Sequence, residues 1–243
     1  MGFAHVQGAN GGTTTTGITS VSLTLPSPPT PGNLLVVAFN PSAISGVINT
    51  GAVVKDANNN LFTLYGPLPA TGPYYPVAHW LGWMIAPSNA SATINGTWAG
   101  SASTQWVCLC VDEFSYTGGT PTFDKTVAIG DPTNSQFITT PSITPIYPGS
   151  LLYGMASEPN VATVHPVNGE VYNGWTGTLA TPTSDGNEYM LSSPPGSSSA
   201  YYACDGVSTG WTATIISISL TPSGSMPRVD MGMEGESIFS VVR

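Results

Sequence analysis

The residues most able to do chemistry in this chain are a serine in GVSTG (206–210), a thin scatter of carboxylates and three histidines. GVSTG fits the G-x-S-x-G pattern, in which a nucleophilic serine sits on a sharp turn between a strand and a helix. The next segment is WTATIISISL, an alternating strand, so Ser208 reads as part of a hairpin turn. Glycoside hydrolysis needs two carboxylates set across one sugar bond. Sandwich enzymes of that kind carry them on one strand as E-x-D-x-x-E, and the nearest approach here is Asp112-Glu113. Adjacent strand residues face opposite sides of a sheet, so these two cannot form the pair. Glu158, Glu170 and Glu188 stand apart in the sequence and read as solvated surface groups. No catalytic residue is expected.

Metal ligation has equally little support. His5, His79 and His165 have no His or Cys partner at a ligand spacing, and His79, beside Trp80, reads as a packed strand histidine. DANNN (56–60) could offer oxygen donors to calcium, yet Asx-rich turns form without an ion. The expectation is no metal and no cofactor. Cys108 and Cys110 lie two apart in an apparent strand. They point the same way from positions about 6–7 Å apart, at or beyond the usual limit for a bridge. Cys204 could pair with one of them across strands, but buried free thiols are the plainer reading.

Aromatic side chains are the remaining route to a ligand, because sugar rings stack on exposed Trp and Tyr faces. Trp80, Trp83, Trp98, Trp106 and Trp211 fall within strand-like segments and read as core. Tyr74, Tyr75, Trp175, Tyr201 and Tyr202 fall at loops or strand ends, where they would be either a glycan-binding patch or turn anchors. Asn89-Ala90-Ser91 and Asn95-Gly96-Thr97 fit the glycosylation acceptor pattern, which in so Asn- and Ser-rich a chain reads as coincidence.

These residues must be positioned by strands. The 28 Gly and 22 Pro argue against long helices, and a charged fraction of only 7% against 41% hydrophobic argues against a disordered chain. ITSVSLTL (18–25) alternates, with Val21, Leu23 and Leu25 on one face, while NLLVVAFN (33–40) is a continuous apolar run suited to a strand buried on both faces. Further strands are expected at 47–55, 60–65, 77–86, 91–98, 105–116, 136–140, 150–157, 187–191, 199–204 and 211–220, each bounded by Gly, Pro, Asn or Ser. So many short strands make a two-sheet antiparallel sandwich of the jelly-roll kind the natural expectation, as one domain over 1–222. TPGNLLVVAF (30–39) is echoed by YPGSLLYGMA (147–156), but DANNNLFTLY follows only the first copy. The echo therefore reads as two central strands entered by similar Pro-Gly turns, without a tandem duplication.

The series GNLLVVAF (32–39), KDANNNLFTLY (55–65), WMIAPSNASATINGTW (83–98), VDEFSYTGG (111–119) and GSLLYGMAS (149–157) resembles a concanavalin-like domain family of bacteriophage structural proteins and bacterial surface or secreted proteins. The motifs run in order from residue 3 to about 221; Asn59 stands where that family has Gly, and Tyr116-Thr117 extends its E-F-S-G element. The resemblance implies a carbohydrate-binding-like sandwich scaffold without a specified ligand.

With 13 acids against 4 bases, a phosphate-backbone partner is not expected. No apolar stretch approaches the roughly 20 residues needed to span a bilayer. MGFAHVQGANGG lacks a secretory pattern, which suggests either release without a signal, as inside a virus particle freed by lysis, or a signal already removed. Pro222-Ser223-Gly224-Ser225 reads as a terminating linker, leaving 223–243 as an arm outside the sandwich. In it Met226, Met231 and Met233 are adaptable contact residues. SIFSVVR forms a strand-like run containing Ile238, Phe239, Val241 and Arg243, able to join a neighbour's sheet edge. The expectation is a non-enzymatic virion protein (head decoration, fibre or tail part) displayed on the virion surface. It would self-associate and contact a capsid or tail protein through that arm. The alternative is a secreted or cell-surface module that binds glycan.

Overall fold

The computed structural model describes residues 2–13, 15–43, 50–69, 78–99, 104–131, 135–157, 164–166, 175–178, 185–208 and 210–222. The first eight strands are β1 (Gly2–Thr13), β2 (Ser20–Thr24), β3 (Leu34–Ala43), β4 (Thr50–Asp56), β5 (Thr63–Pro69), β6 (Ala78–Ile85), β7 (Thr93–Ala99) and β8 (Thr104–Thr117). The next eight are β9 (Thr120–Asp131), β10 (Ser135–Thr139), β11 (Leu151–Ser157), β12 (Val164–Pro166), β13 (Thr176–Thr178), β14 (Asp185–Met190), β15 (Tyr201–Ser208) and β16 (Trp211–Thr221). All the pairings between them are antiparallel. This is the all-β antiparallel sandwich expected from the sequence, but where two sheets were expected there are four, because the sixteen strands divide between two stacked sandwiches.

An inner sheet of order β1-β8-β3-β6-β5 is backed by an outer sheet β2-β7-β4; a second inner sheet, β9-β16-β11-β14-β13, is backed by β10-β15-β12. Adding eight to each strand number of the first pair of sheets reproduces the second pair. Within each unit the first strand pairs with the last, the second with the seventh and the third with the sixth. That is the pattern of one long antiparallel hairpin rolled into two sheets, which defines a jelly roll.

Local geometry repeats as well. Gly32 N–H donates to Ala86 O at 2.8 Å and Ala86 N–H to Asn33 O at 2.8 Å; Gly149 to Ser193 O and Ser193 to Ser150 O, both at 2.9 Å, are the counterparts. Gly32 and Gly149 enter their strands at φ +87° and +85°, where a side chain would be strained. A bulge at Val6 in β1, opposite Phe114 and Glu113, recurs at Asp124 in β9, opposite Ile218 and Ser217. The two echoed segments are central strands entered by matching turns, as expected. The duplication discounted on their flanks is nevertheless present in the fold, because equivalent strands need equal burial and pairing but not equal residues.

The layers explain the patterning. β7 alternates because one face meets solvent. β11, with all seven residues buried, and β16, buried along ten of eleven, are continuous because both faces are covered. Three apolar cores fill the three gaps. Leu23, Phe39, Val54, Ile94 and Leu109 lie in the first. Leu34, Val36, Phe114, Tyr153, Met155 and Ile216 lie between the inner sheets. Ile138, Leu152, Tyr202 and Ile215 lie in the third. Each fully buried Leu or Ile contributes about 1.5–3 kcal/mol, so the middle core is what binds the two units into one body. Its rims are closed by aromatic stacks, His5 on Tyr189 at 4.9 Å and Tyr65 on Phe123 at 3.8 Å between ring centroids.

The strands not anticipated were β1, β9, β12 and β13. β1 holds four glycines and β9 a proline, and both lie at the edges of inner sheets, where neither residue disrupts a second ladder.

Candidate functional site

Two polar clusters cross the gap between the inner sheets. In the first, Asn40 of β3 donates from Nδ2 to Ser157 Oγ at 3.0 Å and to Asp185 Oδ1 at 2.8 Å. His79 places Nε2 2.7 Å from Ser157 Oγ and Nδ1 3.2 Å from Thr214 Oγ1. Serine, histidine and aspartate thus meet as residue types of a hydrolase triad. Their order is different: the histidine ring is oriented by a threonine, and the aspartate is held by Asn40. All of these side chains are buried, and burial lowers the His79 pKa from 6.5 to about 3, so the imidazole is neutral. The cluster links the two units.

In the second cluster Asp112 of β8 receives the Tyr153 hydroxyl at 2.7 Å and Asn187 Nδ2 at 3.2 Å, while His5 Nε2 lies 2.9 Å from its other oxygen. Burial first, then the Asp112 charge, holds the Tyr153 phenol well above its usual value. Gly8 makes room for this carboxylate, since a Cβ there would collide with Asp112 Oδ1. Glu113, one residue on, faces the other way and accepts from Thr30 N–H, Asn33 and Gln7. The opposite facing of Asp112 and Glu113 follows from the strand alternation; their partners, 41 to 107 residues away in the chain, do not.

Glu188 belongs to the third gap. It is buried and accepts the Tyr201 N–H at 2.8 Å, and burial raises its pKa from 4.5 to about 8, so the carboxyl is neutral at pH 7. It was expected to be a solvated group; its strand is covered on both sides, which removes that option. Opposite it in the ladder is Gly154, over which the Tyr202 hydroxyl sits, 2.6 Å from where a Cβ would stand. In DANNN the Asp56 carboxylate accepts from Asn58 N–H, Asn60 N–H, Asn60 Nδ2 and Ser91 N–H, at 2.7–2.9 Å. The turn is thus closed by amide donors, and Asn59 takes φ +65°, the conformation for which glycine is the usual residue.

Of the expected glycan contacts, Trp175 and Tyr201 come together on one depression of about 220 Å³, lined also by Met190, Pro194, Ser197, Ser198 and Ser199. Tyr201 is 38% exposed, and Trp175, only 2% exposed, forms part of the floor. Tyr202 is fully buried and points into the third core, which removes it from any outward patch. Alternation along β15 sends neighbouring tyrosines to opposite faces. Tyr74, Tyr75, Glu158, Glu170 and the arm residues Met226, Met231, Met233, Ile238, Phe239, Val241 and Arg243 lie outside the described residues. Trp80, Trp98 and Trp211 are core, as expected. Cys108 and Cys110 are buried thiols outside any disulfide, with sulfurs 3.4 Å apart in the middle gap; Cys204 is a buried reduced thiol in the third gap, on the far side of an inner sheet.

No protein-family model matches the chain, and no curated protein matches it. Among solved structures it is similar to one described as "Crystal Structure of the STIV MCP", at 10% identity over 90% of this chain and 97% of that one, with a TM-score of 0.29. A score of that size does not carry the fold, which rests on the strand pairing, nor a function.

Proposed function

We propose that this chain is a non-enzymatic structural protein of a bacteriophage virion, a head decoration, fibre or tail component built on a double jelly roll and attached through residues 226–243. The observation that supports this reading most is the employment of the acidic side chains among the described residues. Asp112 and Asp185 tie one unit to the other, Glu113 and Asp124 hold loops and strands, Asp56 closes a turn, and Glu188 holds the start of β15. Such groups confer rigidity, and buried ones have no substrate to meet. A stack of four layers with a hydroxyl-rich, charge-poor exterior suits a durable exterior part. The arm, apolar and strand-forming in sequence, supplies the contact to a second copy or to the capsid or tail beneath.

Mass spectrometry of purified particles tests it. The chain should be recovered at a fixed stoichiometry relative to the major particle proteins and resist removal by washing. Its absence from particles, with recovery in the culture fluid alone, would defeat the proposal.

A further inference from the structure

We infer that the outward face of the β10-β15-β12 sheet binds a neutral saccharide, which lies across Phe137 and Tyr201 and seats one ring in the depression beside Tyr201. The internal duplication provides the comparison that carries this. Leu25 N–H donates to Ala92 O at 2.9 Å and Thr140 N–H to Ala200 O at 3.0 Å at equivalent places in the two units. Counting from these bonds, Phe137 takes the place of Ser22 and Tyr201 that of Thr93. In the first unit the equivalent positions are polar and carry no aromatic ring, Ser22 donating to Asn95 across the ladder, although Val53 is exposed on the same face. In the second, Phe137 is 62% and Tyr201 38% exposed. The jelly roll itself therefore places no demand for aromatic rings there, and exposed aromatics set together mark a contact surface.

The contact has a definite chemistry. Phe137 lies opposite Ala203, and Thr139 opposite Tyr201, so the two aromatic residues are diagonal neighbours on one face, their strand positions about 7–8 Å apart. The depression of about 220 Å³ next to Tyr201 has the almost wholly buried Trp175 and Met190 at its floor, with Pro194, Ser197, Ser198 and Ser199 around it. Ser197 Oγ is fixed 2.7 Å from Thr144 Oγ1 and Ser199 Oγ 3.1 Å from Ser142 Oγ, and each keeps hydrogen-bonding capacity for a ligand. A pyranose has an apolar C–H face and a rim of hydroxyls, which matches this lining. None of the lining residues is charged at neutral pH, and a net charge of −9 disfavours acidic sugars.

The full chain, and a Phe137→Ser, Tyr201→Thr double variant carrying the first unit's residues, are applied to an array of neutral and acidic glycans, then titrated with the neutral oligosaccharide bound best. The proposal expects at least one neutral glycan bound, binding weakened at least about tenfold in the double variant, and an unchanged thermal midpoint. It is overturned if no neutral glycan binds, if acidic glycans bind in preference, or if the double variant binds as well as the parent. It is also overturned if the double variant loses only self-association by light scattering, which would make the face a protein interface. Particle proteomics is independent of all these outcomes, so failure here leaves the virion reading standing and the reverse.

Discussion

Asn40 and Ser157 each lie eight residues after the glycine that opens their strand, and they meet across the middle of the molecule, Asn40 Nδ2 to Ser157 Oγ at 3.0 Å. Equivalent positions of the two jelly rolls thus touch each other. His79, the residue before Trp80 at the end of the β3–β6 ladder, and Asp185, paired with Ser157 in the β11–β14 ladder, complete the cluster. It is a polar rivet through an apolar interface, and its removal should loosen one unit from the other.

Replacing Asn40 by Ala removes donors to Ser157 and Asp185 and should lower unfolding free energy by about 2 kcal/mol. Ser157→Ala should cost about 1 kcal/mol, and the double variant less than the sum, since the two share a bond. Urea denaturation reads all three; strict additivity would mean that the bond contributes nothing.

Glu188 makes stability fall as pH rises through the acid-to-neutral range. Its pKa is raised from 4.5 to about 8 in the fold, so the unfolded chain releases this proton earlier than the native one. Its contribution therefore falls as pH rises from about 4.5 to about 8 and is level above that, a change on the order of several kcal/mol. Glu188→Gln keeps an acceptor for Tyr201 N–H, and should flatten stability between pH 6.5 and 8.5 and exceed the parent at pH 8.5. An unaltered slope in urea midpoints would exclude Glu188 as its source.

His79 acts on the acid side with opposite sign. With its pKa lowered to about 3, it stays neutral in the fold while the unfolded chain takes up a proton below 6.5. Stability from this group is lost as pH falls from 6.5 towards 3. The loss is partly offset in the parent by Glu188, so Glu188→Gln should show a steeper acid decline than the parent in thermal melts from pH 7 to 4.

Gly154→Ala places a methyl 2.6 Å from the Tyr202 hydroxyl and 3.3 Å from Ala200 Cβ and should cost about 2 kcal/mol. The Tyr202 hydroxyl is buried without a hydrogen-bond partner among the described residues, so Tyr202→Phe should be neutral or stabilising and should relieve part of the Gly154→Ala cost. Equal costs of Gly154→Ala in both backgrounds, by calorimetry, would refute this packing.

Asp56 uses both oxygens on N–H donors, so adding calcium or a chelator should move the thermal midpoint by less than about 1 °C. Asp56→Ala should cost about 2 kcal/mol or more, through four lost hydrogen bonds. A calcium-dependent rise in the midpoint that Asp56→Ala abolishes would make this turn a metal site after all.

Much of the fold was legible in the chain because strand signals are local. Alternation in β2, continuous apolar runs in β3 and β11, and Gly-Pro punctuation located twelve of the strands, and the same period-two rule separated Asp112 from Glu113. Trp175 and Tyr201 could be singled out as aromatics near strand ends, while the three serines that join them could not, since a serine in a loop carries no signal of its neighbours.

The amino-acid sequence by itself determined which segments extend, which faces of them are apolar, and that few charges would be available for chemistry. Tertiary structure alone decided that eight strands are repeated as eight more, that Tyr202 turns inward while Tyr201 stays at the surface, and that His79 reaches Ser157 and Thr214. The division follows from range. Backbone preference and face alternation act between near neighbours, whereas layer, register and the dielectric around a buried carboxyl such as Glu188 depend on which distant strand arrives to cover it.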